Sequence, residues 1–333
     1  AHIPLYAADR GREYPLVVAG GPCTCNPEPV AEFFDAIVIG DGERVFLQMA
    51  EQWLDRYEND RVKQRLLEQW AAIPGVYVPT FYKIEAVAGG TQTVKPRSEA
   101  PLQVHRVIEP DLDQTPIPKT PIVPFARPIQ DRLRVEVARG CTRGCRFCQA
   151  GMINRPVRER SLETIVEQCR HALAATGYDD LTLLSLSTSD YGCLEPLLEQ
   201  LIHQLEKNHS AVSLPSLRAG SLNPRIMELI KRIRKTGFTI APEAGSQRLR
   251  DVINKNITED DVFDTISDAF HAGWQVIKLY FMVGLPTETQ GDLDQIVYLI
   301  KEARQRHPAK GRGAKINVSV STFIPKAHTP FQW

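Results

Sequence analysis

Between Arg132 and Phe323 the chain alternates short apolar runs with amphipathic stretches, and this alternation constrains the fold more than any other feature. Residues 133–138, 180–187, 212–217, 238–241, 276–283 and 315–323 each read as a strand bounded by polar or glycine-containing turns. The intervening stretches carry helix punctuation. Ser161 caps a helix that Gly177 closes, and Asn223-Pro224 opens one that Gly237 ends. Thr258 with Asp261 resembles a capping box, its helix closed by Gly273. Further helices are expected near 193–207, 246–253 and 289–306. Six strand–helix units in series predict an α/β fold, a partial (β/α)6 TIM-like barrel over residues 131–333. Its working face should be the carboxyl ends of the strands.

Two other regions precede it. In residues 1–70, strands at 14–21 and 35–40 flank a short helix at 26–34, and an amphipathic helix follows at 43–57. Strands with glycine-ended turns alternating with helices predict a doubly wound parallel sheet. Two strands make half such a sheet at most, so the rest is expected upstream of residue 1, or the segment packs on the other domain as a remnant. Cys23 and Cys25 read as turn cysteines. In residues 71–130, the alternating run 74–82 predicts one strand of a small hairpin with 91–96. Proline is dense from Pro96 to Pro128, which favours an extended, ordered linker.

The first barrel strand runs into Arg139-Gly-Cys-Thr-Arg-Gly-Cys-Arg-Phe-Cys148, a C-x3-C-x2-C array of Cys141, Cys145 and Cys148. Three close thiolates can hold three irons of a 4Fe–4S cube and leave the fourth open to another ligand. A cysteine-lined helix face fits the spacing, but Gly140 and Gly144 weaken a helix. Zinc is the other rival and would require a fourth ligand from far along the chain. Six arginines (139, 143, 146, 155, 158, 160) lie in or beside this loop against the single acid Glu159. They offset an anionic cluster, or they contact a nucleic-acid backbone; the internal role is preferred. Lys231-Arg-Ile-Arg-Lys235 reads as a solvated helix face. Cys169 and Cys193 read as buried thiols, and the histidines have no ligand spacing.

The other strand ends are polar: Ser187-Thr-Ser-Asp-Tyr191, Ser216-Leu-Arg-Ala-Gly-Ser221, Ala241-Pro-Glu-Ala-Gly-Ser246, Val283-Gly-Leu-Pro-Thr-Glu-Thr289 and Ser321-Thr-Phe-Ile-Pro-Lys326. Hydroxyls, a carboxylate, a guanidinium and glycine backbone thus converge on the cysteine loop, a lining suited to a zwitterionic ligand with ribose hydroxyls. Composition adds exclusions. Lys+Arg equals Asp+Glu at 40 each, so no global field argues for nucleic acid or membrane. No apolar run approaches a membrane span, and clustered thiols in a chain of this size point to a metal site in a reducing, cytoplasmic compartment.

The array with Phe147 before its last cysteine resembles the radical S-adenosylmethionine (SAM) superfamily. Ala19-Gly-Gly-Pro22, Asn26-Pro-Glu-Pro29 and Val38-Ile-Gly-Asp-Gly-Glu43 resemble the C-terminal part of a cobalamin-binding domain. Cys148-Gln-Ala-Gly151, Ser185-Leu-Ser-Thr-Ser-Asp-Tyr191, Ala241-Pro-Glu-Ala-Gly-Ser246 and Thr329-Pro-Phe-Gln-Trp333 are similar to an uncharacterised bacterial group of cobalamin-binding-domain-type radical SAM proteins. Such proteins usually continue beyond the last segment, so the chain is expected to be a fragment at both ends. The resemblance implies a 4Fe–4S cluster on Cys141, Cys145 and Cys148, with SAM chelating the open iron and cleaved reductively to a 5′-deoxyadenosyl radical. It further implies that Phe147 meets the adenine, Ser187 and Ser189 the methionine amino group, and Glu243 the ribose or amino-acid part. Gly284 would flank the adenine, and Arg248 and Lys278 are cofactor-site candidates. Arg248 reads equally as a solvated first-turn arginine, and Lys278 either neutralises the SAM carboxylate or caps the barrel wall. Cobalamin is an implied cofactor of the full-length protein, although the cobalt-binding run D-x-H-x-x-G does not occur in these residues.

The expected function is therefore a radical SAM enzyme of methyl or methylthio transfer, acting on RNA, protein or a metabolite. An electron donor such as flavodoxin or ferredoxin is the implied partner. Two other classes compete: a non-catalytic iron–sulfur carrier or zinc protein, and a relic barrel that binds nucleic acid.

Overall fold

The computed structural model describes residues 2–59, 63–97, 100–205, 211–214, 217–221, 224–232, 238–309 and 313–333. It divides into two compact units, 1–110 and 111–333. In the first, β1 (Val18–Ala19) and β2 (Ala36–Val38) pair in parallel, as the glycine-ended turns predict. The helical turn expected before β2 forms as a 3-10 helix, Glu28–Phe33. The amphipathic stretch is α1 (Glu43–Asn59), followed by α2 (Lys63–Ala71). Strand β3 (Val76–Tyr77) then pairs with β2 antiparallel, so the sheet is mixed rather than purely parallel.

The hairpin also differs from expectation. Residues 74–82 do alternate, but proline has no N–H to give a ladder, and the chain leaves the sheet in a 3-10 turn at Pro79–Phe81. The partner of β5 (Thr91–Pro96) is instead β4 (Tyr82–Val87), joined through Gly89 and Gly90, both at positive φ. Burial follows strand alternation. Ala36, Val38, Val76 and Val78 pack with Val45, Met49, Leu66, Leu67 and Trp70 on one face, and Ile37 and Tyr77 on the other. Asp35, 1% exposed, is compensated by Arg10 at 3.0 Å, Lys63 at 2.7 Å and the Val17 amide at 2.8 Å. A buried carboxylate survives only with such partners. Cys23 and Cys25 lie in a 3-10 turn, Pro22–Cys25.

The second unit contains the predicted strands in two parallel three-stranded sheets. One runs β10 (Ala211–Ser213), β9 (Asp180–Leu184), β6 (Leu133–Glu136); the other runs β11 (Phe238–Glu243), β12 (Val276–Val283), β13 (Lys315–Thr322). The barrel is partial, not closed. Between β6 and β9, β7 (Ala138–Arg139) and β8 (Arg158–Glu159) form an antiparallel clip, with α3 (Gln149–Ile153) in the loop they enclose. The other α-helices among the described residues are α4 (Leu162–Thr176), α5 (Leu194–Leu205), α6 (Pro224–Arg232), α7 (Gln247–Val252), α8 (Glu259–His271) and α9 (Gln290–Gln305).

The local punctuation holds. The Ser161 hydroxyl accepts from the Thr164 amide, and Gly177 closes α4 in the left-handed region at φ 71°. Thr258 and Asp261 form the capping box of α8, and Thr289 with Asp292 forms a second on α9. Pro224 opens α6; Asn223, Gly237 and residues 215–216 of the third expected strand lie outside the described residues. Along β12, Ile277, Leu279 and Phe281 are buried beneath α8 and α9, whereas Lys278 and Tyr280 project to the other face. β12 thus buries one face under helices, whereas β13 beside it has no buried residue. Among the described residues no helix is long and apolar enough to cross a membrane.

Candidate functional site

The β7–β8 clip is the neck of the cysteine loop, pairing Ala138 with Glu159 and Arg139 with Arg158. Gly140 sits at φ 94°, where a Cβ would lie 2.5 Å from the Asn154 carbonyl oxygen and 2.8 Å from that of Pro156. Only glycine fits this crossing. Inside the loop Cys141, Cys145 and Cys148 are half-buried free thiols. The Cys141 sulfur accepts from the Arg143 amide at 3.5 Å, and the Cys148 sulfur, capping α3, accepts from the Gly151 amide at 3.3 Å. Burial pushes the Cys145 thiol up; Cys148 and Cys141 add to the rise, while Lys255 and Arg218 pull against it.

The strand ends fasten this loop from several sides. Arg143 grips Asp190 with two nitrogens, Nε at 2.7 Å from Oδ2. Burial opposes the charged form of Asp190, but hydrogen bonds from Arg143 and Ser187 outweigh it and hold the carboxyl below its ordinary range. The Ser189 hydroxyl accepts from the Arg218 amide at 3.3 Å, and the Arg218 guanidinium reaches the carbonyls of Lys255, at 2.8 Å, and Asn256. Phe147 packs in one apolar cluster with Ala244, Leu249, Ile253 and Leu285, joining the loop to the ends of β11 and β12. Gln149 donates to the Ala327 carbonyl at 3.1 Å.

Glu243 ends β11 beside a register shift and stands at φ 70°. Such irregularities re-aim side chains. Its carboxylate meets the Lys255 ammonium at 3.3 Å, and burial raises its pKa against that partner. Gly284, at φ 83°, donates its amide to Glu288 Oε1 at 2.8 Å and has open space where a Cβ would be.

Two candidates stand apart. Lys278 lies five residues before the end of β12, about 16 Å from the carboxyl edge at roughly 3.3 Å per residue. Its ammonium sits 4.6 Å from the Tyr280 ring centroid, which favours the barrel-wall role. Arg248, its side chain 50% exposed, holds Asp292 and the Thr287 carbonyl, bracing the turn before α9.

The arginines form no open basic patch; the charged form of Arg143 is favoured by Asp190 and, to a smaller degree, by Cys141 and Cys145. Arg139 pairs with Glu136, Arg146 caps the Val252 carbonyl, Arg155 the Gly151 carbonyl, and Arg158 those of Pro156 and Asn154. Arg160, 5% exposed, bonds Leu112, Thr115 and Glu136. They stitch the loop together. The basic run at 231–235 lies largely outside the described residues. Cys169 is buried as expected, its thiol pushed up to about 12 by desolvation; Cys193 is exposed, contrary to expectation, because it precedes α5 rather than facing its core.

Among the described residues no three His, Cys, Asp or Glu side chains close around a single metal ion. A cube differs in that its three thiolates bind three different irons. The donors fit it: three thiols in one loop, amides directed at two sulfurs, and the cations Arg218 and Lys255 near the third. Sequence reasoning missed Asn254 and Lys255, although Asn-Lys-Asn between a helix end and the Thr258 cap is a turn signal.

Comparison with known proteins agrees with this geometry. Residues 1–79 match the family model "Radical SAM proteins, N-terminal" and residues 135–300 match "Radical SAM superfamily". The chain belongs to the radical SAM superfamily. It is 31% identical over 320 residues to an uncharacterized protein of Methanocaldococcus jannaschii, covering 95% of this chain and 61% of that protein. It is 27% identical over 177 residues to the ribosomal protein uS12 methylthiotransferase RimO of Caldanaerobacter subterraneus subsp. tengcongensis, covering 51% of this chain and 40% of that protein. In fold it resembles the radical SAM methyltransferase TsrM of Kitasatospora setae, solved with tryptophan and a SAM analogue: TM-score 0.63, 15% identity, 95% of this chain and 57% of that one. The chain thus spans only part of the length of each of these proteins.

Proposed function

We propose that the chain is the catalytic core of a radical SAM enzyme. Cys141, Cys145 and Cys148 hold a 4Fe–4S cluster, and SAM takes the open iron. The observation that carries this is the three-thiol loop at the carboxyl end of the first barrel strand, tied to the segment after β9, the turn after α7 and the ends of β11 and β12. Held by these three thiolates, a reduced cluster would supply the single electron for reductive cleavage of the SAM sulfonium.

The chain's own residues position and enclose the cofactor. Phe147 offers the adenine an apolar wall, with the Gly284 turn beside it. Ser187 and Ser189 line the strand-two end where the methionine amino group is expected. Glu243, partnered by Lys255, is the acceptor for ribose or the amino-acid part. Arg248 braces the α9 turn through Asp292 and Thr287, and the contact of Lys278 with Tyr280 supports a barrel-wall role for it.

The reaction class proposed is methyl or methylthio transfer, supported by the likeness to RimO and the fold of TsrM. RNA, protein and small metabolites are the substrate classes considered. The electron donor would be a flavodoxin or ferredoxin, and cobalamin a cofactor of a longer protein containing this chain. Anaerobically reconstituted protein with SAM and dithionite should yield 5′-deoxyadenosine, and Cys145→Ala should yield none. Bound zinc without SAM cleavage would favour the non-catalytic metal protein instead. Nucleic-acid binding without SAM turnover would favour the relic barrel.

A further inference from the structure

We propose that Asn254 is a positioning residue for the cluster: its side-chain amide latches the cysteine loop to the turn after α7 and thereby fixes Cys145. The proposal rests on the cluster-binding reading above. Asn254 Nδ2 donates to the Gly144 carbonyl at 2.9 Å, across 110 residues of chain. On the other side of Cys145, the Arg146 amide donates to the Ile253 carbonyl at 2.9 Å. Both neighbours of Cys145 are therefore tied to one turn, whereas Cys141 and Cys148 receive amides from within their own loop. The turn is itself held, because Arg218 bonds the carbonyl of Lys255 at 2.8 Å.

Asn254 has a second, separable role. It stands at φ 53° where α7 ends, and its amide N–H bonds the Asp251 carbonyl at 3.0 Å. That role needs only a left-handed residue, which glycine fills with less strain. The side-chain amide is not needed to end the helix, and it is spent on Gly144. Gly144 in turn sits at φ 73°, its missing Cβ 3.3 Å from Nδ2, so the two residues are in close register.

Asn254→Gly removes the latch and keeps the helix end; Asn254→Asp keeps the shape but sets a carboxylate against a carbonyl and near the thiols. Each would be reconstituted anaerobically beside the parent and followed by iron loss to a chelator and by the EPR spectrum of the reduced cluster. Asn254→Gly should match the parent in apo-protein circular dichroism, lose iron about fivefold faster, the equivalent of one net hydrogen bond, and show altered g-values. Asn254→Asp should lose iron faster still. Parent-like iron loss and EPR in Asn254→Gly would overturn the latch, as would collapse of its apo fold, which would make the Asn254 side chain a requirement of the fold rather than of the cluster. A parent that takes up no iron defeats the cluster reading itself, and that failure shows in the unmodified protein before any variant is made.

Discussion

The Arg143–Asp190 pair gives the most quantitative handle on the cysteine loop. Two nitrogens of one guanidinium meet both oxygens of one carboxylate, with side-chain exposures of 38% and 24%. A bidentate charge-assisted contact contributes about 1.5–3 kcal/mol when shielded. With more than a third of Arg143 in solvent, screening brings the expectation to about 1–2 kcal/mol. The assay is a double-mutant cycle on the apo protein with Asp190→Asn and Arg143→Met, read by chemical denaturation, with hydrogen exchange reporting on amides 141–148. Asp190→Asn should speed exchange in those amides about tenfold, a change of 1.4 kcal/mol. The pH dependence has a fixed sign. The folded carboxyl titrates below its unfolded value, so its contribution is present above that value and is lost as pH falls through the folded pKa. The gap between parent and Asp190→Asn should therefore close below about pH 4. A coupling under about 0.3 kcal/mol, or a gap that survives full protonation, would refute the reasoning.

Other outcomes follow from the same geometry. Gly140→Ala should cost about 3 kcal/mol, because a Cβ would strike two carbonyl oxygens at positive φ; an unchanged melting temperature would contradict that. Asp292 is 4% exposed; burial disfavours its charge, yet bonds from Arg248, Ser246 and Thr289 hold the carboxyl far below the usual range. Asp292→Asn should lose about 2 kcal/mol at neutral pH, a loss that disappears in acid as the parent carboxyl takes its proton, checked by denaturation at several pH values. Cys169, with its thiol raised to about 12, should resist iodoacetamide at pH 8 while exposed Cys193 reacts; equal labelling by mass spectrometry would show that the α4 core opens.

What could be read from the chain was local. Ser161, Gly177 and the Thr258–Asp261 box act within one helical turn, so their residue types suffice to place α4 and α8. β6, β9, β11 and β12 show because each carries a run or alternation of buried apolar residues, whereas β13 shows by its β-branched residues alone. The break at Pro79 was also local, but the surrounding alternation masked it. The site was harder. Cys141, Cys145 and Cys148 announce themselves by spacing, whereas the arginines around them bond mostly to backbone carbonyls, which carry no residue signature. The contacts of Asn254 with Gly144 and of Arg218 with Lys255 join residues far apart in the chain, where only the folded topology brings them together.

The central claim is a three-thiolate cluster with one iron open to SAM. Its most direct measurement is EPR of the anaerobically reconstituted, dithionite-reduced protein before and after SAM is added, with metal analysis of the same sample. The account predicts about four irons per chain, a reduced 4Fe–4S signal whose g-values shift on SAM addition, and loss of both in Cys145→Ala. Zinc in place of iron, or a 4Fe–4S signal that SAM leaves unchanged, would contradict it.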